Sequence, residues 1–474
     1  MILLLPALIV VYFLLCLVLP PKIGKKAVVS YAKIGMDGDT SGAVERILWA
    51  DDNEQALNWR LHLIASARES IIMTAFYFYA DESGKDLISA LLQAADRGVQ
   101  IRILIDALNG GFFITRDACF QCLLSHPNVE FRLYNPLYRC FFWRINFRMH
   151  DKYLIADDKC YLLSGRNLTD SFLGTYQEHF NVDRDVLVYE EHPGAYSSLT
   201  QVCSYFEVIW KEPCNCILQA GKKDQYKSFV TGKNGRKSIQ SVKEARIRLR
   251  ERYQKLEQRY CLTDLQWILP DQMIVTASIQ LLANPLSDRR KQPVLWERLC
   301  GYMRQGTQVF IQTPYIICNR SMLQEMKAMK SSGIRIEFLA NAVTNGVNPF
   351  GCADYLRKKS QILDACSGVY EYAGGQAIHT KTLLIDDQIS IIGSFNIDLR
   401  SACLDTELML AIDSPELNRQ LQEKASQYKT VSQWVDEQGK SEKGSAYQSQ
   451  AISGKKNALF WFLRFLTRPF RYLL

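Results

Sequence analysis

Histidine is scarce in this chain, and its cysteines follow no regular pattern. The 474 residues contain six histidines and 14 cysteines. The cysteine spacings do not resemble a disulfide framework, and a chain of this length can bury a large core without one. Cys119-x2-Cys122 followed by His126 is half of a zinc pattern, but no second pair stands nearby. We therefore expect reduced thiols and no metal at this pattern.

The N-terminus lacks the marks of a cleaved signal peptide. It has no basic residue before Pro20 and no small-residue cleavage site. Instead, an apolar run covers residues 2–19, about the length of one bilayer crossing, and three lysines follow it at once. Residues 1–21 are therefore predicted to be a single-pass anchor in the cell membrane, with the bulk of the protein on the cytoplasmic side.

Charge is unevenly spread. The chain carries +8 overall, yet residues 221–259 hold thirteen Lys/Arg against four Asp/Glu, which is +9 in one stretch. One interpretation is a solvated charged helix in a linker; the other is a surface that attracts an anionic bilayer or a nucleic acid. We predict that residues 213–295 are a basic insertion, residues 431–456 a polar linker and residues 457–474 a basic, aromatic interfacial tail.

Two stretches of the chain repeat the same order of elements. A strand-like run, an amphipathic helix, a glycine and a second strand-like run occur at residues 69–105 and again at 307–339. Such a βαβ pattern predicts a sheet with parallel neighbours. We therefore expect an α/β fold with two halves, 40–212 and 296–430.

Each half also contains a His-x-Lys-x4-Asp motif with a matching continuation. The first lies within residues 145–172 and the second within residues 374–401. Lys is at +2 from His, Asp at +7, Gly at +15 or +14 and Asn at +17. The residues of the two motifs are His150, Lys152, Asp157, Gly165 and Asn167, and His379, Lys381, Asp386, Gly393 and Asn396.

The spacing of the motif suits phosphodiester chemistry. On a strand, residues i and i+2 point to one face, so each His and Lys should project together. The Asp at +7 falls in a turn that it can brace, and the returning strand brings the Asn back beside the pair. Two such units facing each other would surround one phosphate with imidazoles, ammonium groups and amides. A single His-x-Lys would more often be a surface strand, but two copies with matched Gly and Asn are specific.

These motifs resemble the phospholipase D superfamily, over about residues 55–210 and 290–412. Within it, the bacterial cardiolipin synthases of the C type are the most similar group. The resemblance rests on Arg148 to Lys152, on Gly165-Arg166-Asn167, and on Gly393 to Asn396 continuing through Arg400-Ser401 to Thr406-Glu407. It implies a duplicated fold whose mixed sheets pack around one shared active site.

The resemblance also implies roles for the site residues. One His attacks phosphorus and the other serves as acid and base; by the family pattern His150 is the nucleophile and His379 the acid/base, although the sequence leaves the choice open. Lys152, Lys381, Asn167 and Asn396 would bind phosphate oxygens. Asp183 and Glu407 would orient the two histidines. Asp157 and Asp386 would brace the site, and the reaction would require no metal and no cofactor.

Three functions remain to be separated. The leading hypothesis is phosphatidyl transfer that makes cardiolipin from phosphatidylglycerol and a second phospholipid, with the membrane bilayer as partner. The alternative is hydrolysis by the same site, either of phospholipid or, as a membrane-tethered nuclease, of nucleic acid. A catalytically dead scaffold is disfavoured because no motif residue is missing. Transfer and hydrolysis differ in whether a lipid alcohol or water reaches the intermediate, which the motifs do not decide.

Overall fold

The computed structural model describes residues 44–108, 114–137, 144–218, 235–264, 267–284, 293–346, 348–449 and 451–474, with Val11 alone before them. Apart from Val11, the predicted anchor at 1–21 lies outside these residues. Across the described ranges, no helix is both long and apolar enough to span a bilayer.

The first half builds a mixed sheet. Its strands are β1 (Arg46–Ala50), β2 (Ser70–Ala75), β3 (Gln100–Asp106), β4 (Val129–Tyr134), β5 (Tyr153–Ala156), β6 (Cys160–Ser164), β8 (Asp185–Tyr189), β9 (Cys216–Leu218) and β10 (Ile274–Val275), while β7 (Asn181–Val182) lies apart from it. In the described part of the chain the order is β10-β1-β8-β6-β5-β2-β3-β4-β9. β2, β3 and β4 run parallel, and the other neighbours are antiparallel.

The second half builds a matching sheet. Its strands are β11 (Ser278–Ala283), β12 (Gln308–Gln312), β13 (Arg335–Asn341), β14 (Gly368–Tyr372), β16 (Thr382–Ile385), β17 (Ile389–Gly393), β18 (Leu408–Asp413), β19 (Ser432–Asp436) and β20 (Ser441–Lys443), while β15 (Ala377–Ile378) pairs with β7. Among the described residues the order is β11-β18-β17-β16-β12-β13-β14-β19-β20. Seven neighbouring strands of this sheet, β11-β18-β17-β16-β12-β13-β14, correspond in order to β1-β8-β6-β5-β2-β3-β4 of the first sheet. The predicted duplicated α/β fold is thus confirmed.

Helices cover the sheets because the connections between parallel strands must cross over them. They are α1 (Asn53–Ser66), α2 (Glu82–Asp96), α3 (Ala118–Leu124), α4 (Ser198–Trp210), α5 (Gly235–Tyr260), α6 (Val294–Met303), α7 (Arg320–Ser331), α8 (Pro349–Ala365), α9 (Leu399–Cys403), α10 (Pro415–Thr430) and α11 (Gly454–Leu466). The two repeated helices that follow the first strand of each βαβ unit are α2 and α7. Asp81 and Asn319 cap them by accepting hydrogen bonds from backbone N–H groups of the first turn.

One apolar core joins the halves. Alternate residues of a strand point to opposite faces, so Leu154 packs into the core of the first half while Ile155 points the other way. Ile155 shares its cluster with Leu384 and Leu410 of the second half. The strands are apolar on both faces for this reason, as is usual for sheets covered on both sides.

The described parts of the segments predicted to lie between domains contain strands and helices that belong to the two halves. Within 213–295, β9 and β10 extend the first sheet, β11 opens the second, and α5 packs on α2 and α3 through Ala245, Leu249, Tyr253 and Leu256. Residues 431–456 were predicted to form a linker, but β19 and β20 in that range are the edge of the second sheet. Short strands of two to six residues with polar neighbours carry little periodicity, so the sequence did not reveal them.

Candidate active site

Both motif histidines stand where the chain enters a strand at the middle of its sheet. His150 and Lys152 come directly before β5, and His379 and Lys381 directly before β16. Each strand then turns back as β6 or β17. Asn167 and Asn396 follow these returning strands and come back to the level of the histidines, as the motif spacing predicts.

The two motifs meet at one cavity of about 220 Å³. Its wall includes His150 and Asn167 from the first half and His379 and Asn396 from the second. The rest of the wall is formed by Phe76, Tyr77, Pro314, Tyr315, Ile316, Ala340, Asn341, Val343, Gly346, Asn348, Gly351, Cys352 and Tyr355. The structure therefore brings both imidazoles and both amides to a single space that can hold a phosphodiester.

Each histidine contacts a carboxylate of the opposite half. His150 Nδ1 lies 2.9 Å from Glu407 Oε1, and His379 Nδ1 lies 2.5 Å from Asp183 Oδ2. Asp183 precedes β8 and Glu407 precedes β18, which are equivalent strands of the two sheets. Each half therefore supplies the carboxylate that contacts the histidine of the other half. A carboxylate that accepts the Nδ1 proton leaves Nε2 as the basic ring nitrogen.

Backbone contacts hold this exchange in register. His379 N–H donates to Val182 O at 2.7 Å, and His150 N–H donates to Thr406 O at 3.3 Å. On one side β7 and β15 form a short parallel pair, and on the other Met149 bridges to Thr406. Each half thus positions the histidine of the other through both backbone and side chain.

Burial and neighbouring charge keep the imidazoles neutral. Burial, strengthened by Lys152, lowers the pKa of His150 well below its usual value. Burial and Lys381 together lower the pKa of His379 to about 4. Neutral imidazoles are needed if one of them is to act as a nucleophile.

The pKa values of the two carboxylates shift in opposite directions. Burial raises the pKa of Glu407 to about 8, although Lys152 and the hydroxyls of Ser394 and Ser401 oppose the shift. Burial would also raise the pKa of Asp183, but Lys381 and His379 outweigh it and hold that pKa below its usual value. Asp183 is therefore the more strongly ionised of the pair.

Both lysines are buried behind the cavity. Lys152 Nζ donates to His150 O at 2.6 Å, and burial lowers its pKa to about 7. Lys381 Nζ donates to Asp183 Oδ2 at 3.2 Å and to the carbonyl of His379. Neither lysine is part of the cavity wall; each is placed to supply charge next to its histidine.

The motif aspartates lie at the far end of the hairpins. Asp157 and Asp386 occupy left-handed backbone positions, with φ of 51° and 47°. Asp157 accepts hydrogen bonds from the backbone N–H groups of residues 68–70, and Asp386 from those of Thr307 and Gln308. They tie the β5–β6 and β16–β17 turns to the strands beside them and do not line the cavity.

The two asparagines each present an unused polar atom. Asn167 and Asn396 are buried, and within the described residues their Oδ1 atoms have no hydrogen-bond partner. Because amide oxygen and nitrogen are assigned from such contacts, this end of either side chain can equally donate. A ligand in the cavity would satisfy both.

Several residues of the site had no predicted role. Ser401 Oγ donates to Glu407 Oε1 at 2.6 Å, and Ser394 Oγ binds the other carboxylate oxygen. The Phe76 ring packs edge-to-face with His150, and the Phe172 ring packs in the same way with His379. The ring centroids are 5.0 Å apart in both pairs. Both serines lie within the stretch from Gly393 to Glu407 that carried the family resemblance, but only the tertiary contacts show their use.

The half-zinc pattern does not form a cluster. Cys122 Sγ donates to the carbonyl of Ala118, and His126 Nε2 lies 3.2 Å from Asp96. Burial raises the pKa of Cys119 and Cys122 to about 11. In the part of the chain that the structure describes, no group of three or more His, Cys, Asp or Glu is arranged to hold a metal ion.

Comparison with known proteins agrees with this geometry. A family model described as "Cardiolipin synthase, PLD-like domain" matches residues 61–210 and 299–429. Because the match covers more than half of the chain, the chain belongs to this family of phospholipase D-like proteins.

Individual relatives extend over most of the chain. Cardiolipin synthase C of Escherichia coli is 26% identical over 424 residues, which are 80% of this chain and 86% of that protein. An uncharacterized protein of Helicobacter pylori is 26% identical over 401 residues, 78% of this chain and 76% of that protein. The crystal structure of phosphatidylserine synthase from Haemophilus influenzae superposes with a TM-score of 0.61 and 16% identity, over 91% of this chain and 98% of that one. The structural likeness supports the fold.

Proposed function

We propose that this protein is a phosphatidyltransferase that makes cardiolipin from phosphatidylglycerol and a second phospholipid. The main support is the cavity between the halves, where two neutral imidazoles are each backed by a carboxylate. Similarity to a cardiolipin synthase over four fifths of the chain supports the same substrate class.

The first step of the proposed reaction forms a phosphohistidine. His150 Nε2 attacks the phosphorus of the donor, a P–N bond forms and the P–O bond to the leaving alcohol breaks. His379 is neutral in the empty cavity, but the negative charge of the bound phosphodiester favours its protonated form. Protonated His379 then gives its proton to that alcohol oxygen. With phosphatidylglycerol as donor, the leaving alcohol is glycerol.

The second step regenerates the enzyme. His379, now neutral, takes the proton of the acceptor hydroxyl, whose oxygen attacks phosphorus and breaks the P–N bond. With phosphatidylglycerol as acceptor the product is cardiolipin; with water it is phosphatidic acid. The reaction is a simple exchange of alcohols on phosphorus, so no redox partner or cofactor is required.

The proposed roles of the two histidines follow their partners. Ionised Asp183 stabilises a positive charge on His379, as an acid/base needs when it carries a proton. Glu407 is held by two hydroxyl groups and binds a proton more readily. It therefore favours a neutral His150, which suits the nucleophile.

The remaining motif residues would hold the phosphate. The amides of Asn167 and Asn396 each have an atom free for its oxygens. Lys152 and Lys381 are buried behind the histidines and add positive charge there. The low polarity of this region strengthens their attraction for the negatively charged phosphate. Asp157 and Asp386 act on the hairpins and not on the substrate.

Membrane attachment belongs to the same proposal. The apolar run at 2–19 would anchor the chain with the catalytic halves on the cytoplasmic side. An enzyme held at the bilayer would meet phospholipid at high local concentration.

The test is product analysis with the purified full-length chain. In mixed micelles of phosphatidylglycerol we expect cardiolipin and glycerol in equal amounts, and neither from the His150→Asn variant. Phosphatidic acid alone would instead support the hydrolase. Degradation of single-stranded DNA or RNA, with lipid untouched, would support the nuclease and overturn the proposal.

A further inference from the structure

The C-terminal helix has an apolar face turned to solvent. In α11, Phe460, Leu463 and the following Thr467 are buried against the body of the protein. The opposite face is formed by large apolar residues with 45–63% of their surface exposed: Leu459, Trp461, Phe462, Phe465 and Leu466. A helix that is apolar on both its buried and its outward face requires a second apolar environment.

This helix is firmly attached to the second half. Arg471, just after it, makes a two-pronged ion pair with buried Asp354 of α8, with both N···O distances 2.8 Å. The carbonyl of Leu474 accepts hydrogen bonds from Leu399 and Arg400 at 3.0 Å. The exposed face is therefore held in one orientation relative to the catalytic halves.

The helix lies beside the cavity. α11 packs on α8, whose residues Gly351, Cys352 and Tyr355 line the cavity wall. At the start of α11, Lys456 Nζ donates to Thr344 O at 3.2 Å, within a loop that also lines the wall. A surface that met the outward face of α11 would thus lie next to the cavity.

The charged residues of this C-terminal segment are all of one sign. Residues 451–474 contain five basic residues and no Asp or Glu. Lys455, Lys456 and Arg468 are exposed, and the guanidinium of Arg468 lies 4.8 Å from the Phe465 ring. Basic side chains flanking aromatic ones are typical of helices that lie in the headgroup region of an anionic membrane.

A second copy of the chain fits this face less well. In a symmetric dimer the same patch meets itself, so the basic residues of the two copies would be brought together without an acidic partner in this segment. An anionic bilayer offers both the apolar layer and the opposite charge.

We infer that the outward face of α11 docks on the surface of an anionic phospholipid bilayer and holds the cavity against it. This inference rests on the proposed lipid substrate and adds a specific contact surface to it. The interaction is separate from the predicted anchor, because it fixes the orientation of the catalytic halves and not only their distance from the membrane.

Photocrosslinking tests the contact in the full-length chain. Phe462 is replaced by photoreactive benzoylphenylalanine, and the protein is reconstituted in vesicles of phosphatidylglycerol and phosphatidylcholine. The matched control is the same replacement at Tyr196, which is 57% exposed against 56% for Phe462 but follows Glu190 and Glu191. We expect lipid adducts at position 462 and not at 196. Adducts between two protein chains at 462, or no adduct there, would overturn the inference.

A kinetic measurement separates this inference from the proposed function. The combined variant Trp461→Ser, Phe462→Ser, Phe465→Ser should lose at least about fivefold in turnover of vesicle phosphatidylglycerol relative to turnover of monomeric dihexanoyl phosphatidylglycerol. Tyr196→Ser should leave this ratio unchanged. An unchanged ratio in the triple variant would refute the docking role, whereas lack of turnover by the unmodified protein would refute only the proposed function.

Discussion

The two halves share one framework but support their histidines with different chemistry. Seven strands in the same order, the same hairpin and the same motif aspartate recur in both. Yet the carboxylate beside His150 is bound by the hydroxyls of Ser394 and Ser401, whereas the one beside His379 is bound by the ammonium group of Lys381. Duplication gives a symmetric site, and the neighbours of the carboxylates make it asymmetric.

The cavity wall is asymmetric as well. Among the described wall residues other than the histidines and asparagines, the first half adds Phe76 and Tyr77, while the second half adds the others, from Pro314 to Tyr355. The two sides of a phosphodiester therefore meet different surroundings. Such a difference is required if donor and acceptor, or nucleophile and acid, are to have fixed positions.

The largest effect should come from the histidines themselves. His150→Asn and His379→Asn should each lower kcat by more than about 10⁴-fold, because the nucleophile and its proton donor act as one unit. Turnover of phosphatidylglycerol measures this, and the double variant should be no worse than either single one. Comparable activity in either single variant would break the claim that both halves serve one site.

Replacing the carboxylates should sharpen the comparison. Asp183→Asn removes the charge partner of buried Lys381 as well as that of His379, so we expect a loss of about 3–5 kcal/mol in the free energy of unfolding together with a large fall in kcat. In Glu407→Gln the new side chain can still form hydrogen bonds with Ser394 and Ser401. This variant should therefore lose less unfolding free energy and less kcat than Asp183→Asn. Urea unfolding and initial rates check the order, and equal losses would argue against a real asymmetry.

Replacing the two equivalent motif glycines by alanine should affect different properties of the protein. A Cβ on Gly165 would clash with Asp183 Oδ1, so Gly165→Ala should displace the partner of His379 and lower kcat. A Cβ on Gly393 would meet the backbone carbonyl of Leu408, so Gly393→Ala should mainly lower the free energy of unfolding, by about 1–3 kcal/mol. Thermal unfolding and rates of the two variants separate these effects. Gly301→Ala, where nothing lies within 4 Å, serves as the control.

The smallest effect concerns proton binding. In ¹³C-histidine NMR, His150 and His379 should stay neutral as the pH falls through 6.5, where exposed imidazoles become protonated. Lys381→Met removes a positive charge that disfavours imidazolium, so it should raise the pKa of His379. Assignment uses the two His→Asn variants. A midpoint for His379 at or above 6.5 in the unmodified protein would contradict the geometry of the site.

The sequence predicted the features that depend on short spacings. The pairing of His150 with Lys152, the turn at Asp157 and the return of Asn167 all lie within 18 residues, where strand geometry alone sets the outcome. The repeat of this unit was enough to predict two similar halves and one shared site.

Features that join distant parts of the chain were not accessible in this way. The orienting roles of Asp183 and Glu407 were inferred from family resemblance. Their exchange between the halves was not predicted, since each lies about 200 residues or more from its histidine. The strands within 213–295 and 431–456 are set by pairing with sheets formed elsewhere. The position of α11 depends on Arg471 reaching Asp354, a contact over 117 residues.

The most direct test of the account is a burst measurement with phosphatidyl-p-nitrophenol, whose leaving group needs no proton. In the His379→Asn variant the first step can still proceed, but the second lacks its base. We therefore predict release of one nitrophenolate per enzyme and accumulation of phosphatidyl-His150. The His150→Asn variant should show no burst. A burst from the His150→Asn variant alone would reverse the assigned roles, and no burst from either variant would contradict a covalent intermediate at this site.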